Sequence, residues 1–213
     1  MNRDSFAPGE VYHIYNRGVD KRKIFINPKD RERFYQSMIV FNANDPVGSL
    51  YEHAFNLRLG RSKTNTKPLV DIISYCLNPN HYHLIVRQRS QNGISEFMKR
   101  LGGGYTMYFN ARNKRSGALF QGRFKSVHIT TNEQLIHVVS YVNLNWRVHR
   151  LGGSTSKSSW EEYISDAKGF CEKGIILKQF RSVHEYKKFA EETLDYFLEQ
   201  KQLAKELKDF IFD

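Results

Sequence analysis

Cysteine is scarce in this chain: Cys76 and Cys171 are the only two in 213 residues. No cysteine cluster is available for a zinc finger. Cys76 sits in an apolar strand pattern, so free thiols in a reducing cytoplasm are expected. Long apolar runs are also missing. Nothing approaches the roughly 20 residues that cross a bilayer, and Met1-Asn2-Arg3-Asp4-Ser5 lacks the apolar core of a secretion signal. A cytoplasmic protein with no membrane partner is expected. Acidic side chains are outnumbered, with 22 Asp and Glu against 33 Lys and Arg, a net charge of +11. The excess is uneven. Residues 161–213 hold 12 acidic and 9 basic side chains, a net −3, which leaves +14 on residues 1–160. A basic body with a near-neutral tail points to a polyanionic partner, nucleic acid first.

A chain of this length can bury one good core and carry an appendage. Val11 to Tyr15 is strand-like, and Lys29 to Phe41 reads as a charged amphipathic helix. Asp45-Pro46-Val47-Gly48 marks a turn, Tyr51 to Leu59 is read as a strand, and Gly60 to Lys67 as a basic loop. Leu69 to Leu77 and His81 to Gln88 are apolar strands joined by Asn78-Pro79-Asn80, a hairpin signal. Gly93 to Ala111 is helical in pattern, although Gly102-Gly103-Gly104 should break it or let something approach its backbone. Leu119 to Ile129 returns as a strand. The pattern predicts an α+β fold: an antiparallel sheet of four or five strands with helices on one face. Gly152 to Ser159 is of low complexity, so residues 1–150 are expected as the main domain and 151–159 as a linker. Residues 160–213 should then form a helical appendage ending in a long helix from Val183 to Leu207.

The most informative stretch is Asn80-His81-Tyr82-His83-Leu84-Ile85-Val86. Alternate side chains of a strand share a face, so His81 and His83 point one way and Tyr82, Leu84 and Val86 the other. Two adjacent imidazoles are metal-capable, yet a pair needs a third ligand from elsewhere. Downstream, Thr130 and Glu133 stand at capping-box spacing and open a helix through Trp146. Its buried stripe is Leu135, Val138, Val139, Val142 and Trp146. Tyr141 and Asn145 fall one turn apart on the flank of that stripe, with His137 one turn before.

His81-Tyr82-His83 together with Tyr141-Val142-Asn143-Leu144-Asn145 resembles the single-tyrosine HUH transposases, in the REP-associated branch. Four further stretches agree in order: Tyr12 to Gly18, Tyr75 to Asn80, Tyr108-Phe109-Asn110, and Ser116 to Ser126. The resemblance spans roughly residues 9 to 150. It implies a ferredoxin- or RRM-like nuclease core in a bacterial, nucleoid-associated protein. It also implies Tyr141 as the catalytic nucleophile, with His81, His83 and Asn145 holding Mn²⁺ or Mg²⁺. In the wider family the helix ligand is often Gln; the REP-associated branch uses Asn, as here. The implied substrate is single-stranded DNA beside a hairpin or palindromic repeat, cleaved through a 5′-phosphotyrosine. A monomer or a homodimer would both fit.

Imidazole and amide oxygen make a borderline ligand set that suits Mn²⁺, and Mg²⁺ can serve if phosphate and water complete its shell. An ordinary phenol is little ionised at neutral pH, so a cation or a base must assist, and His137 is the nearest base on the helix. Two basic clusters are candidate DNA contacts: Arg17, Lys21, Arg22 and Lys23, and then Arg112, Lys114, Arg115, Arg123 and Lys125. Interleaved with Tyr105, Tyr108, Phe120 and Phe124, they resemble phosphate contacts beside stacking platforms. The alternatives are a catalytically idle DNA- or RNA-binding regulator on the same fold, and a metal-free endoribonuclease with His as base.

Overall fold

A computed structural model describes residues 6–45, 48–59, 67–165 and 167–211. Five strands form one sheet in the order β4-β1-β3-β2-β5, with every pairing antiparallel. They are β1 (Val11–Arg17), β2 (Val70–Asn78), β3 (His81–Gln88), β4 (Lys125–Ile129) and β5 (Lys157–Ser158). The expected hairpin joins β2 to β3, with Asn78 opposite His81 and Pro79-Asn80 as its two-residue turn. β3 therefore runs through the middle of the sheet.

The helices cover both faces, not one. On the first face, α1 (Pro28–Val40) and α3 (Gly93–Arg112) set Phe34, Met38, Phe97, Leu101 and Tyr105 against Tyr12, Ile14, Tyr82, Leu84 and Val86. On the second lie α4 (Asn132–Asn143), α5 (Asn145–Val148), α6 (Trp160–Ile164), α7 (Gly174–Leu177) and α8 (Val183–Ile211). There Val139, Val142, Tyr163, Tyr186 and Leu194 pack on Ile73, Cys76 and Ile85. The cause lies in β2, which is buried at all nine positions and so presents apolar surface both ways.

Local chemistry explains the other departures. Tyr51 to Leu59 lies in a helix, α2 (Leu50–Arg58), because Ser49 and Glu52 cap its start reciprocally. Residues 46–47 of the expected turn and 60–66 of the expected basic loop lie outside the described residues. The strand expected from Leu119 is regular only from Lys125, and Phe120 makes an isolated bridge to Gly18. α3 runs unbroken through its glycines. A Cβ on Gly104 would lie 2.9 Å from the Phe41 ring, so close packing requires that glycine, whereas Gly102 and Gly103 face open space.

α4 is capped by Thr131, not Thr130: its hydroxyl accepts from Gln134 N at 3.1 Å. The helix stops at Asn143, and Asn145 begins the short α5. Within 151–159, expected as a linker, β5 extends the sheet beside Cys76 and Leu77. Ser159 Oγ donates to Asn143 Oδ1 at 2.5 Å, and Asn143 Nδ2 donates to the Tyr186 hydroxyl at 2.7 Å. Trp160, Tyr163, Tyr186 and Leu194 thus share a core with α4. Among the described residues no helix is long and apolar enough to cross a membrane.

Candidate active site

The alternation of β3 turns Tyr82, Leu84 and Val86 into the first core and leaves His81 and His83 half-buried on the second face. α4 crosses that face, anchored by Leu135, Val139 and Val142. Its Tyr141 ring meets His83 edge-on, with centroids 6.0 Å apart. A cleft of about 610 Å³ opens here, lined by His81, His83, Tyr141, Arg17 and Lys125 among others. With Asn145, whose Oδ1 lies beside His81 Nε2, the structure brings the four residues His81, His83, Tyr141 and Asn145 together from two distant parts of the chain.

Each histidine has one ring nitrogen occupied within the sheet. His81 Nδ1 donates to Asn80 Oδ1 at 2.7 Å, which leaves a lone pair on Nε2. That Nε2 lies 3.2 Å from Asn145 Oδ1, another acceptor. His83 Nδ1 shares a 2.8 Å hydrogen bond with His13 Nε2. Burial depresses all three imidazoles. His83 lies well below its ordinary range, with His13, His81 and His149 adding to the effect. His13 is pushed down to about 4. His81 is lowered by burial, and the Asn145 amide oxygen, which would accept from a protonated ring, works against that fall. Neutral rings, not imidazolium ions, are what cation binding requires.

Two acceptors 3.2 Å apart fit neighbouring positions around one small divalent ion, whose ligands at about 2.1 Å and right angles stand roughly 3 Å apart. Asn78, wholly buried, shows that both atoms act as acceptors toward one point. Its amide NH₂ donates to His81 Nε2 at 2.9 Å and to Asn145 Oδ1 at 2.6 Å, presenting positive charge to both acceptors. Asn145 is also fully buried, and its Nδ2 has no hydrogen-bond partner among the described residues. Among those residues no group of three His, Cys, Asp or Glu is disposed to hold a metal. The Cys76 thiol is pushed up to about 12 by burial and stays neutral. The residues expected to hold a cation, His81, His83 and Asn145, would offer it two imidazoles and one amide oxygen.

Burial raises the Tyr141 phenol above its ordinary range, and the neighbouring Asn145 amide works against that rise. His137, the expected base, is turned away: its Nδ1 lies 3.3 Å from Thr193 Oγ1, and its ring packs on Phe189. On the α8 side Phe197 meets the Tyr141 ring at 5.0 Å.

The basic residues divide. Arg17, Lys21 and Lys125 line the cleft, and Arg17 is tethered to Gln121. Arg123 stacks over Phe124 at 5.3 Å in a separate groove. Arg22 pairs with Asp20 at 3.7 Å, and Lys23 and Lys114 are exposed. Arg112 lies 3.7 Å from the buried Asp30, and Arg115 holds the following loop through Asn110 and Ala118. The Tyr105 hydroxyl donates to Ile24 O inside the core, so Tyr105 is no stacking platform.

Sequence inspection overlooked His13, Asn78, Asn80 and His149. Asn78 and Asn80 flank the hairpin turn. His13 lies on the Tyr15 and Arg17 side of β1, so the alternation used for β3 would have found it. His149, edge-on to His81 at 4.7 Å, follows the helix break that no pattern revealed.

Residues 52–145 match the model of a family described as "Transposase IS200 like". Among solved structures the chain is similar to one entitled "Structure of the REP associates tyrosine transposase bound to a REP hairpin". The two share 13% identity at a TM-score of 0.48, over 77% of this chain and 84% of that one. No curated protein matches. The matched segment includes β2, β3, α4 and the side chains of His81, His83, Tyr141 and Asn145.

Proposed function

We propose that this protein is a metal-dependent endonuclease and strand transferase for single-stranded DNA, acting beside hairpin or palindromic repeats in the manner of a REP-associated tyrosine transposase. One observation carries the proposal. Tyr141 stands edge-on to His83, one turn before Asn145, whose amide oxygen shares its space with His81 Nε2. A binding protein has no use for a phenol placed beside such a donor set.

His81, His83 and Asn145 are the residues that would hold the cation, Mn²⁺ or Mg²⁺. When bound, it would supply positive charge against the charge that builds on the phosphoryl oxygens. Tyr141 Oη attacks the scissile phosphorus and loses its proton to water in the cleft. The new P–O bond to tyrosine replaces the bond to the 3′ oxygen, which leaves and takes up a proton. A 5′-phosphotyrosine and a free 3′-hydroxyl result. The bond conserves the energy of the phosphodiester, so attack by a 3′-hydroxyl rejoins strands without ATP. Arg17, Lys21 and Lys125 hold the flanking phosphates.

Labelled single-stranded oligonucleotides carrying hairpins from the gene's own neighbourhood test the proposal. Cleavage should stop in EDTA and return with Mn²⁺ or Mg²⁺. His81→Ala and His83→Ala should each lower it sharply while DNA affinity falls only modestly. Full activity in EDTA would revive the metal-free nuclease; binding without cleavage under any ion would leave a regulator.

A further inference from the structure

Asn78 ends β2 directly opposite His81, and its side chain is wholly buried. Both polar atoms of that side chain are engaged. Nδ2 donates to His81 Nε2 at 2.9 Å and to Asn145 Oδ1 at 2.6 Å. On the other side Oδ1 accepts from the Cys76 thiol at 3.5 Å. The amide is thus held in one orientation by three neighbours, with its NH₂ turned toward the residues expected to hold a cation.

That orientation is incompatible with an ion on His81. His81 Nδ1 donates to Asn80, so Nε2 carries a single lone pair, and the Asn78 amide hydrogen lies on it. A metal ion needs the same lone pair. An oxygen in the place of Nδ2 would behave in the opposite way. Three acceptors would then face one another, which repel in an empty site and converge usefully on a cation. Turning the Asn78 amide end for end makes this exchange with little change of shape, because its oxygen and nitrogen are of nearly equal size. The neighbour on the far side tolerates both orientations. Burial keeps the Cys76 thiol neutral, and its sulfur lies against the Trp146 backbone N–H. A neutral thiol is a weak donor and a weak acceptor, so it can give a hydrogen to Oδ1 or take one from Nδ2.

We propose that Asn78 is a two-state member of the cation site. Its NH₂ closes the site when empty, and its Oδ1 becomes a further ligand beside His81, His83 and Asn145 when Mn²⁺ or Mg²⁺ enters. The inference rests on the metal-dependent function proposed above and adds to it one ligand and one switch. A second amide oxygen moves the donor set toward the oxygen-rich ligation that both ions favour. A fixed donor that merely steadied Asn145 would have to leave His81 Nε2 blocked.

The test uses the full chain without DNA, and Mn²⁺ or Mg²⁺ alone. In EDTA, heteronuclear NMR should detect coupling across the hydrogen bond from Asn78 Nδ2 to His81 Nε2, and saturating Mg²⁺ should abolish it. Calorimetric titration with Mn²⁺ gives an independent readout. Asn78→Leu keeps the shape without donor or acceptor and should bind Mn²⁺ at least about tenfold more weakly. Asn78→Asp accepts but does not donate, and its added charge should tighten Mn²⁺ binding by about tenfold or more. In EDTA it should melt below wild type, and saturating Mn²⁺ should reverse that order. Coupling that persists at saturating Mg²⁺ overturns the proposal, as does weaker Mn²⁺ binding by both variants. The coupling is read on wild-type protein, so it decides the matter even if a variant fails to fold. If wild-type protein binds neither ion, the metal-dependent function falls as well. Ion binding with the coupling intact removes only the role of Asn78.

Discussion

His13 on β1 and His83 on β3 share a 2.8 Å hydrogen bond, and their rings stack with centroids 5.0 Å apart. The bond fixes which nitrogen His83 turns toward Tyr141, so His13 acts as a positioning residue for the proposed ligand. His13→Ala should raise the metal concentration for half-maximal cleavage by about 10- to 100-fold. His13→Asn, which keeps a hydrogen-bonding group, should recover part of that loss. A titration of cleavage rate against Mn²⁺ reads it; an unchanged midpoint in His13→Ala would leave His83 positioned by β3 alone.

The same burial predicts how metal-free stability depends on pH. His13 titrates near 4 when folded and His83 also lies well below its usual range, whereas the unfolded chain takes up protons from about 6.5 downward. The unfolded state therefore binds more protons in that window, and stability is full above it and lost as pH falls from about 6.5 toward 4. Melting in EDTA across that range measures the trend, and His13→Ala should flatten it. A wild-type melting temperature independent of pH there would contradict the burial of these rings.

Salt dependence separates the basic residues that face the cleft from those that hold the fold. Arg17→Ala and Lys125→Ala should each flatten the slope of log affinity against log salt by up to about one unit. Arg115→Ala should lower the melting temperature, because Arg115 holds the loop at Ala118 and Asn110. Filter binding from low to high salt, with melting curves alongside, checks both. Equal slopes for wild type and the cleft variants would place the phosphates elsewhere.

Trp160, Tyr163, Tyr186, Ala190 and Leu194 are part of the second core. Leu194 is 2% exposed against α4, and Tyr186 is fully buried. Leu194→Ala should cost about 2–5 kcal/mol. A chain ending at residue 159 should lose cooperative melting, since Val139 and Val142 would face water. A truncated chain that melts at the full-length temperature would show the tail to be dispensable.

The sequence was most legible where spacing and chemistry coincide. Strand alternation put His81 and His83 on one face, and helical advance put Tyr141 and Asn145 one turn apart, before any tertiary contact was known. What it hid depends on the third dimension. The buried amide of Asn78 meets Asn145 across 67 positions, and His13 meets His83 across 70. No local pattern encodes such pairs. The Val70–Asn78 run looked like half of a one-sided sheet, yet its neighbouring apolar pairs, Ile72-Ile73 and Cys76-Leu77, already required cover on both faces. Gly104 could not be told from Gly102 and Gly103 until Phe41 was placed against it.

The central claim is that Tyr141 becomes covalently joined to DNA. The direct measurement is a denaturing gel of wild-type protein and Tyr141→Phe with a labelled single-stranded hairpin substrate and Mn²⁺. The wild type should give a slowly migrating protein–DNA adduct that protease removes. Tyr141→Phe should give no adduct and no cleavage, while its melting temperature and DNA affinity stay close to wild type. An adduct of wild-type intensity in Tyr141→Phe would contradict the account.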